Sequence, residues 1–317
     1  MLLLARRVVS GFGVVLGVVT LMFALLRVAP GDPAMLLVGP AATTEQVEAQ
    51  RHALGLDRPI PAQYATWLAS FARGDWGRSI ATGRPVRAVL AQAWPATVRL
   101  VGISLVLSYL LGIAIGVVQA ARGGRLDTVL SIATVTLFAL PGYWLGLMLV
   151  MLFTYRLRWL PAFGAAGFDA DFLPPAARVT DRLRHLALPL TTLTLVGLGG
   201  TARFVRGAML DVAGAPYVVV ARSKGLSETR VVLRHVLRNA LIPVVTLLGL
   251  SLPTLFSGAV FIEAIFAWPG VGRVLVEAVQ ARDYPVVMAA TAVSATLVVL
   301  GNLLADALAS WADPRVR

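Results

Sequence analysis

The chain has 317 residues, of which 58% are apolar and only 14% are charged, and its mean hydropathy is +0.79. Soluble domains carry about 25% charged residues, so this sequence has too few charges to cover a water-soluble surface. The absence of cysteine excludes a disulfide scaffold, and the apolar content excludes a disordered chain. The composition therefore predicts an all-α integral membrane protein.

The net charge of +12 comes from 27 arginines and a single lysine. Most of these residues lie between apolar segments instead of on one soluble domain. This distribution indicates contact with anionic membrane lipid or with a protein partner, and it argues against nucleic acid.

Six apolar windows are long enough, or nearly long enough, to cross a hydrocarbon layer as a helix, which takes about 20 residues. The windows are residues 8–26, 100–121, 128–155, 185–202, 239–262 and 284–305. The third is long enough to tilt or to continue into an interfacial segment, and the fourth is the shortest. No ionisable residue lies deep inside any window, which argues against an ion-coupled carrier. We therefore predict six transmembrane helices.

The first window follows two arginines and resembles a secretory signal peptide, but its cleavage context is poor and we interpret it as a membrane helix. Orientation follows from the basic residues of the short loops. Segment 203–238 has a net charge of +5, the largest of these loops, so we predict that it and both termini are cytoplasmic. Residues 29–95 are too many for a simple connector and are predicted to form an extracytoplasmic cap.

The predicted organisation has four parts. Residues 1–28 form the N-terminal tail and helix 1, and residues 29–95 form the cap. Residues 96–310 form a transmembrane core of helices 2–6 that includes the cytoplasmic loop 203–238. Residues 311–317 form a cytoplasmic tail.

Small residues four positions apart recur in three windows, and they predict close approach of helix backbones. The pairs are Gly13 with Gly17, Gly112 with Gly116, and Gly142 with Gly146. The stretch GLGGTA at 197–202 fits a loosened dinucleotide fingerprint, but no strand precedes it in this apolar window. We interpret it as a helix-packing surface.

Sequence patterns typical of catalysis are missing. The only lysine, Lys224, does not follow a phosphate-binding glycine loop, so this chain is not expected to bind ATP or another cofactor. The three histidines lie far apart, and no metal-ligand spacing or nucleophile elbow is present. We therefore predict no catalytic residues and no metal site.

The most informative segment is the basic loop after the fourth window. Pro216 is suited to start a short helix, Gly225 to end it, and Ser227 to cap a second helix. In that second helix one stripe is basic and another is apolar. The basic stripe is Arg230, Arg234 and Arg238, and the apolar stripe is Val232, Leu233, Val236, Leu237 and Ala240. Two interpretations remain open: an interfacial helix held by anionic lipid, or an element that docks into a cytoplasmic partner.

Nine different short motifs are distributed along nearly the whole chain. They are LRVAPGDP at 26–33, LGLDRP at 54–59, GDWGRS at 74–79, GRPV at 83–86, WLP at 159–161, ARSKGL at 221–226, LRNALIP at 237–243, FAWPGVG at 266–272 and ARDYP at 281–285. With these motifs in this order, the sequence resembles the permease subunits of ATP-binding-cassette importers. More narrowly, it resembles the dipeptide, oligopeptide and nickel permease family.

The resemblance implies a type I importer permease fold in a bacterial cytoplasmic (inner) membrane and import of di- or oligopeptides. It implies four partners besides lipid: a second, homologous permease, two ATPase subunits that bind ATP and Mg²⁺, and an extracytoplasmic binding protein. In this family the loop that contacts the ATPases normally reads Glu-Ala-Ala, three residues, then Gly. In this chain Val219 and Val220 stand in place of the Glu and the first Ala of that pattern. Pro243 follows Gly225 by more residues than is usual in the family.

The resemblance also assigns site residues. Coupling to the ATPases falls to the segment 217–226, with Gly225 setting its turn. The coupling residues are Tyr217, Ala221, Arg222, Lys224, Gly225, Leu226 and Arg234. The outer gate or binding-protein contact falls to Asp32, Trp76, Trp268 and Tyr284, whose aromatic members could instead be interfacial anchors. Alternatives for the whole chain are import of nickel or another small solute, an ion-coupled secondary carrier, and a membrane scaffold or signalling subunit.

Overall fold

The computed structural model describes residues 2–28, 33–39 and 42–312, and within these ranges helices are joined by turns and loops, with one isolated β-bridge, between Arg78 and Pro85. The α-helices are α1 (Leu2–Val28), α2 (Pro33–Val38), α3 (Thr44–Ala53), α4 (Ile60–Ala72), α5 (Val86–Arg122), α6 (Gly124–Ala139), α7 (Gly142–Val150), α8 (Pro175–Ala213), α9 (Pro216–Ser223), α10 (Glu228–Arg230), α11 (Arg238–Ile265), α12 (Val271–Gln280) and α13 (Tyr284–Ala312). A π-helical segment, Met151–Arg156, extends α7, and a second one, Val231–Leu237, joins α10 to α11. A 3-10 turn, Ala170–Phe172, precedes α8.

Several helices match the predicted membrane windows. Within the described residues, four helical segments are long and apolar enough to cross a membrane, and the pair α6 and α7 makes a fifth if it counts as one span. The four segments are Arg6–Val28, Val86–Arg122, Pro175–Ala213 and Tyr284–Leu304. The remaining window, 239–262, lies inside α11, which has 28 residues.

The third window, 128–155, is not one continuous helix. Helix α6 ends before Leu140, and α7 begins after Pro141 at an angle of 103° to it. Leu140 has ψ 132°, the extended conformation that a following proline favours through steric contact with the preceding residue. This window is therefore a bent pair of helices joined at Leu140 and Pro141.

The structure divides into two compact units. The first comprises Met1–Pro95 and Gly270–Val299, and the second comprises Ala96–Pro269 and Leu300–Arg317. The predicted division into a cap at 29–95 and a transmembrane core at 96–310 stays a prediction.

Aromatic packing organises the first unit. A row of rings runs from α1 through α4 to the loop that follows it, with neighbouring centroids 5.2 to 6.4 Å apart; its members are Phe23, Tyr64, Trp67, Phe71 and Trp76. Offset and edge contacts of this kind add to the free energy gained by burying the rings. Helix α3 is stabilised separately by a reciprocal capping box between Thr43 and Gln46.

Glycines bring helices together in the second unit. A Cβ added to Gly116 would lie 2.8 Å from the carbonyl oxygen of Ala202, and one added to Gly112 would lie 2.7 Å from the Thr201 side chain. Similarly, a Cβ on Gly199 would lie 2.7 Å from the carbonyl oxygen of Thr134. The stretch at 197–202 is thus a helix-packing surface of α8, as predicted.

The other two predicted glycine pairs differ from each other. A Cβ on Gly146 would lie 3.1 Å from the ring of Phe266, so this pair also faces a close neighbour. At Gly13 and Gly17, by contrast, no described atom lies within 4 Å of an added Cβ. That pair does not bring two helices together within the described part of the chain.

An ion pair joins α6 to α8 near the start of α6. The Arg206 guanidinium donates two hydrogen bonds to the Asp127 carboxylate, Nε to Oδ1 at 2.7 Å and Nη2 to Oδ2 at 2.6 Å. Two parallel hydrogen bonds fix the angle between the two groups as well as their distance. No local sequence pattern predicts this contact, because the two residues are 79 positions apart.

Candidate functional site

The predicted docking segment forms a short helix and a glycine turn between the long helices α8 and α11. Pro216 occupies the first position of α9, where its missing N–H costs nothing because helix N-termini leave that donor unpaired. Gly225 follows the helix with φ +77°, a left-handed conformation that side chains rarely adopt. The predicted helix, its proline start and its glycine turn are confirmed as structure.

One face of α9 is anchored in the second unit. Val218 is fully buried and Ala221 is 5% exposed. Both belong to a core cluster with Val205 and Met209 of α8 and Val236 of the π-helical segment. Displacing α9 would therefore require moving α8 and the start of α11 with it, or losing this packing.

The opposite face of α9 is exposed and largely apolar. Tyr217 is 45% exposed and Val219 is 55% exposed, and Val220 beside them is half exposed. Lys224 and Arg222 at the end of the helix are exposed too and add positive charge. An exposed apolar patch with a basic rim is typical of a protein-binding surface.

An ion pair closes the glycine turn. The guanidinium of Arg222, in the last turn of α9, donates from Nη2 to Oε1 of Glu228 at 2.7 Å and from Nε to Oε2 at 3.1 Å. These hydrogen bonds hold the pKa of Glu228 below its ordinary value of 4.5 and raise the pKa of Arg222. Because both side chains are exposed, the pair sets the direction of the turn more than it stabilises the fold.

A groove of about 500 Å³ lies beside the exposed face of α9. Its lining is basic and polar and comprises Tyr217, Arg234, His235, Arg238, Asn239 and Ile242. Two of the predicted coupling residues, Tyr217 and Arg234, therefore share one concave surface. A groove of this charge suits an acidic or carboxylate-bearing side chain of a partner.

The second helix departs from its predicted pattern. It contains the π-helical segment, whose wider turn shifts side chains relative to a regular helix. Arg230, Arg234 and Arg238 are exposed as predicted. Leu233, predicted for the apolar stripe, is 53% exposed, and Val231 is buried in its place.

Two further predictions for this loop, the N-cap at Ser227 and the coupling role of Leu226, can be compared with the structure. Ser227 precedes α10 in the N-cap position, but its side chain makes no capping hydrogen bond. Leu226 packs against the core cluster of α9 and is only partly exposed, so it supports the turn from inside.

The predicted outer residues fall into different places. Trp76 and Tyr284 line one cavity of the first unit. Trp268 belongs to the second unit, where it is 5% exposed and donates from Nε1 to the carbonyl oxygen of Ala96 at 3.0 Å. Trp268 is therefore a core residue in this structure, not a surface residue. Asp32 lies outside the described residues.

Two carboxylates that were not predicted as site residues are buried. Asp283 is 2% exposed; it accepts a hydrogen bond from the Ser79 hydroxyl, and its Oδ2 accepts another from the backbone N–H of Ala81 at 3.2 Å. Glu263 is fully buried inside α11, one residue beyond the window that was taken to be free of charge. The position of Asp283 just before a proline-led helix start was a readable capping signal, whereas nothing in the sequence marked Glu263 as buried.

Residues 108–317 match the family described as binding-protein-dependent transport system inner membrane component. Residues 1–101 match the family described as the N-terminal part of the same kind of membrane component. Together the two matches cover almost the entire chain.

Several relatives match over nearly their full length. The chain is 38% identical to the oligopeptide transport system permease protein AppB of Bacillus subtilis, with 98% of each chain covered. It is 38% identical to the di/tripeptide transport system permease protein DppB of Pseudomonas aeruginosa, with 99% of this chain and 98% of the relative covered. It is 40% identical to the probable D,D-dipeptide transport system permease protein DdpB of Escherichia coli, with 96% and 94% covered.

A solved structure has a related fold. The crystal structure of an amino acid ABC transporter with histidines superposes with a TM-score of 0.50 at 14% identity, covering 72% of this chain and 94% of that chain. At this identity the similarity supports the helical permease fold alone.

Proposed function

Because the chain belongs to the family of binding-protein-dependent transport system inner membrane components, we propose that it is the membrane-spanning permease subunit of an ATP-driven importer of di- or oligopeptides. Three relatives that match along nearly their whole length are named as peptide permeases, which supports this substrate class. The permease itself is not an enzyme, and two partner ATPases bind ATP and Mg²⁺. A second, homologous permease completes the membrane part, and an extracytoplasmic binding protein delivers the peptide.

The proposed topology has six transmembrane helices in a bacterial inner membrane with both termini in the cytoplasm. The candidate spans and the length of α11 support this number. The charge of +5 on segment 203–238 supports the orientation, because basic loops are retained on the cytoplasmic side. Residues 29–95 then lie outside, where the binding protein docks.

The observation that carries the mechanism is the two-sided character of α9. Its buried face is packed on α8 and on the segment that leads into α11, while its other face is free to meet a partner. Closure of the ATPase dimer around ATP would push on the exposed face of α9. Because Val218 and Ala221 pack tightly against the long helices, the push would be transmitted to them as a rigid-body movement.

Uptake in proteoliposomes tests this function. The permease is reconstituted with its partner permease and both ATPases, and a radiolabelled dipeptide is supplied outside with the binding protein. We expect uptake that requires both ATP inside and the binding protein outside. Uptake driven by a proton or sodium gradient without the ATPases would contradict the proposal in favour of a secondary carrier, and uptake of nickel without uptake of peptide would contradict the substrate class.

A further inference from the structure

A cavity of about 510 Å³ lies within the first unit, in the region proposed to face the exterior. It is bounded by the end of α1, the turn at 53–58, helix α4, the loop at 75–80 and the start of α13. Cavities that hold small molecules typically have about 300–1,000 Å³. The space therefore suits a ligand the size of a short peptide.

Charges of both signs line this cavity. Arg27, Arg58 and Asp75 are all lining residues, and within the described part of the chain none of them forms an ion pair. Arg27 is half-buried at the end of α1, with its guanidinium carbon 5.0 Å from the centroid of the Phe23 ring. A partly buried cation costs less free energy when an anion neutralises it. The cavity thus offers two cationic groups and one anionic group to a ligand.

The walls of the cavity are aromatic. Trp67 and Trp76 both line it and both stack on Phe71, at centroid distances of 5.3 and 5.2 Å. Stacking holds the two indole rings in place before any ligand arrives, so a ligand side chain meets a preformed apolar surface. Tyr284, at the start of α13, lines the same cavity.

We propose that this cavity binds a short peptide as a zwitterion. Arg27 and Arg58 hold the peptide carboxylate, Asp75 holds the ammonium group, and a peptide side chain packs on Trp67 or Trp76. The assignment rests on the proposed function, which supplies peptides on this side of the membrane. An anionic phospholipid fits less well, because the carboxylate of Asp75 would face its headgroup.

Equilibrium binding tests the site. The transporter is assembled with both permeases and both ATPases in phosphatidylcholine nanodiscs, without the binding protein, and radiolabelled alanyl-phenylalanine is the probe. We expect saturable binding that falls by about tenfold or more in the Arg27→Gln, Arg58→Gln double variant or when the peptide is C-amidated, since a lost charged hydrogen bond has this effect. N-acetylation of the peptide or Asp75→Asn should weaken binding to a similar extent.

Matched controls are Arg73→Gln and Asp57→Asn, which change exposed charges outside the cavity and should leave binding unchanged. Binding that is equal in the cavity variants and the controls would overturn the proposal, because the peptide would then bind elsewhere. A phospholipid that copurifies with the wild type, is lost in the Arg27→Gln, Arg58→Gln double variant and excludes the peptide would overturn it as well.

The proteoliposome uptake described above separates the two proposals. If the wild-type transporter takes up the dipeptide but the cavity variants bind it normally, the cavity assignment fails and the peptide-importer function stands. If the wild type neither takes up nor binds the dipeptide, both fail.

Discussion

Val218 and Val219 are neighbours on α9 with opposite environments: Val218 is fully buried, and Val219 is 55% exposed. We expect Val218→Asp to lower the free energy of unfolding by about 3–5 kcal/mol, because an unpaired charge is buried. Val219→Asp should leave the melting temperature of the permease unchanged. It should nevertheless weaken binding of the ATPases, since it places a charge on the apolar face that we propose to dock them.

Thermal unfolding of the purified membrane complex and copurification of the ATPases measure the two effects separately. The same substitution at adjacent positions is its own control for the chemistry of aspartate. Equal loss of stability at both positions would show that α9 is not anchored as described.

Replacing Gly225 should separate ATP hydrolysis from transport. Gly225 has φ +77°, where a β-branched side chain costs about 1–2 kcal/mol, so Gly225→Val should distort the turn after α9. We expect peptide uptake to fall by about tenfold or more, while the ATPases remain bound and hydrolyse ATP. Gly214→Ala, at φ −86° with open space around the added Cβ, is the matched control. Normal uptake by the Gly225→Val variant would show that the turn at Gly225 is not required for coupling.

The contact between Ser79 and Asp283 should stabilise the first unit. Asp283 precedes α13, and its Oδ1 accepts a long hydrogen bond from the backbone N–H of Val286 at 3.5 Å, in addition to its bonds from the 79–81 loop. Asp283→Ala leaves buried donors without an acceptor and should cost about 1–3 kcal/mol of unfolding free energy. Asp57→Ala, at an exposed carboxylate, should cost little. A smaller loss at Asp283 than at Asp57 would contradict the assignment.

The glycine contacts make a prediction on helix packing. Gly116→Ala would bring a methyl group to 2.8 Å from the Ala202 carbonyl oxygen, so α5 and α8 would have to separate. We expect a loss of about 1–3 kcal/mol, measured as reduced thermal stability. Gly17→Ala, with open space around the added Cβ in the described part of the chain, should be neutral or slightly stabilising. The reverse order of stabilities would mean that the two helices approach differently from this structure.

Many of the helices could be predicted, because the length of an apolar segment and the positions of proline and glycine at helix ends are local properties of the sequence. The start of α9 at Pro216 and the turn at Gly225 follow from backbone preferences that a single residue imposes. The break at Leu140 and Pro141 was also readable, since a proline disfavours a helical conformation in the residue before it. The break was not predicted because Leu140 and Pro141 lie inside one continuous apolar window.

Other features depend on contacts between distant segments and have no local signature. The wide π-helical turn of Val231–Leu237 exposes Leu233, which was expected to be buried, and buries Val231. The amino-acid pattern of this segment is that of a regular helix. Asp283 is buried because Ser79 and Ala81, some two hundred positions earlier, supply its donors. Burial of Trp268 likewise requires the Ala96 carbonyl as its partner.

In the proposed mechanism, α9 meets an ATPase in the cytoplasm. Because the chain contains no cysteine, Val219→Cys introduces a single thiol on the exposed face of α9. Tyr155→Cys gives an exposed control outside the proposed docking segment. We expect Val219→Cys to form a cross-link with a partner ATPase carrying an engineered cysteine, and the Tyr155 variant to form none. The opposite result would be that a membrane-impermeant reagent labels the cysteine at position 219 from outside intact cells and that no cross-link to either ATPase forms. That result would contradict a cytoplasmic contact between α9 and the ATPases.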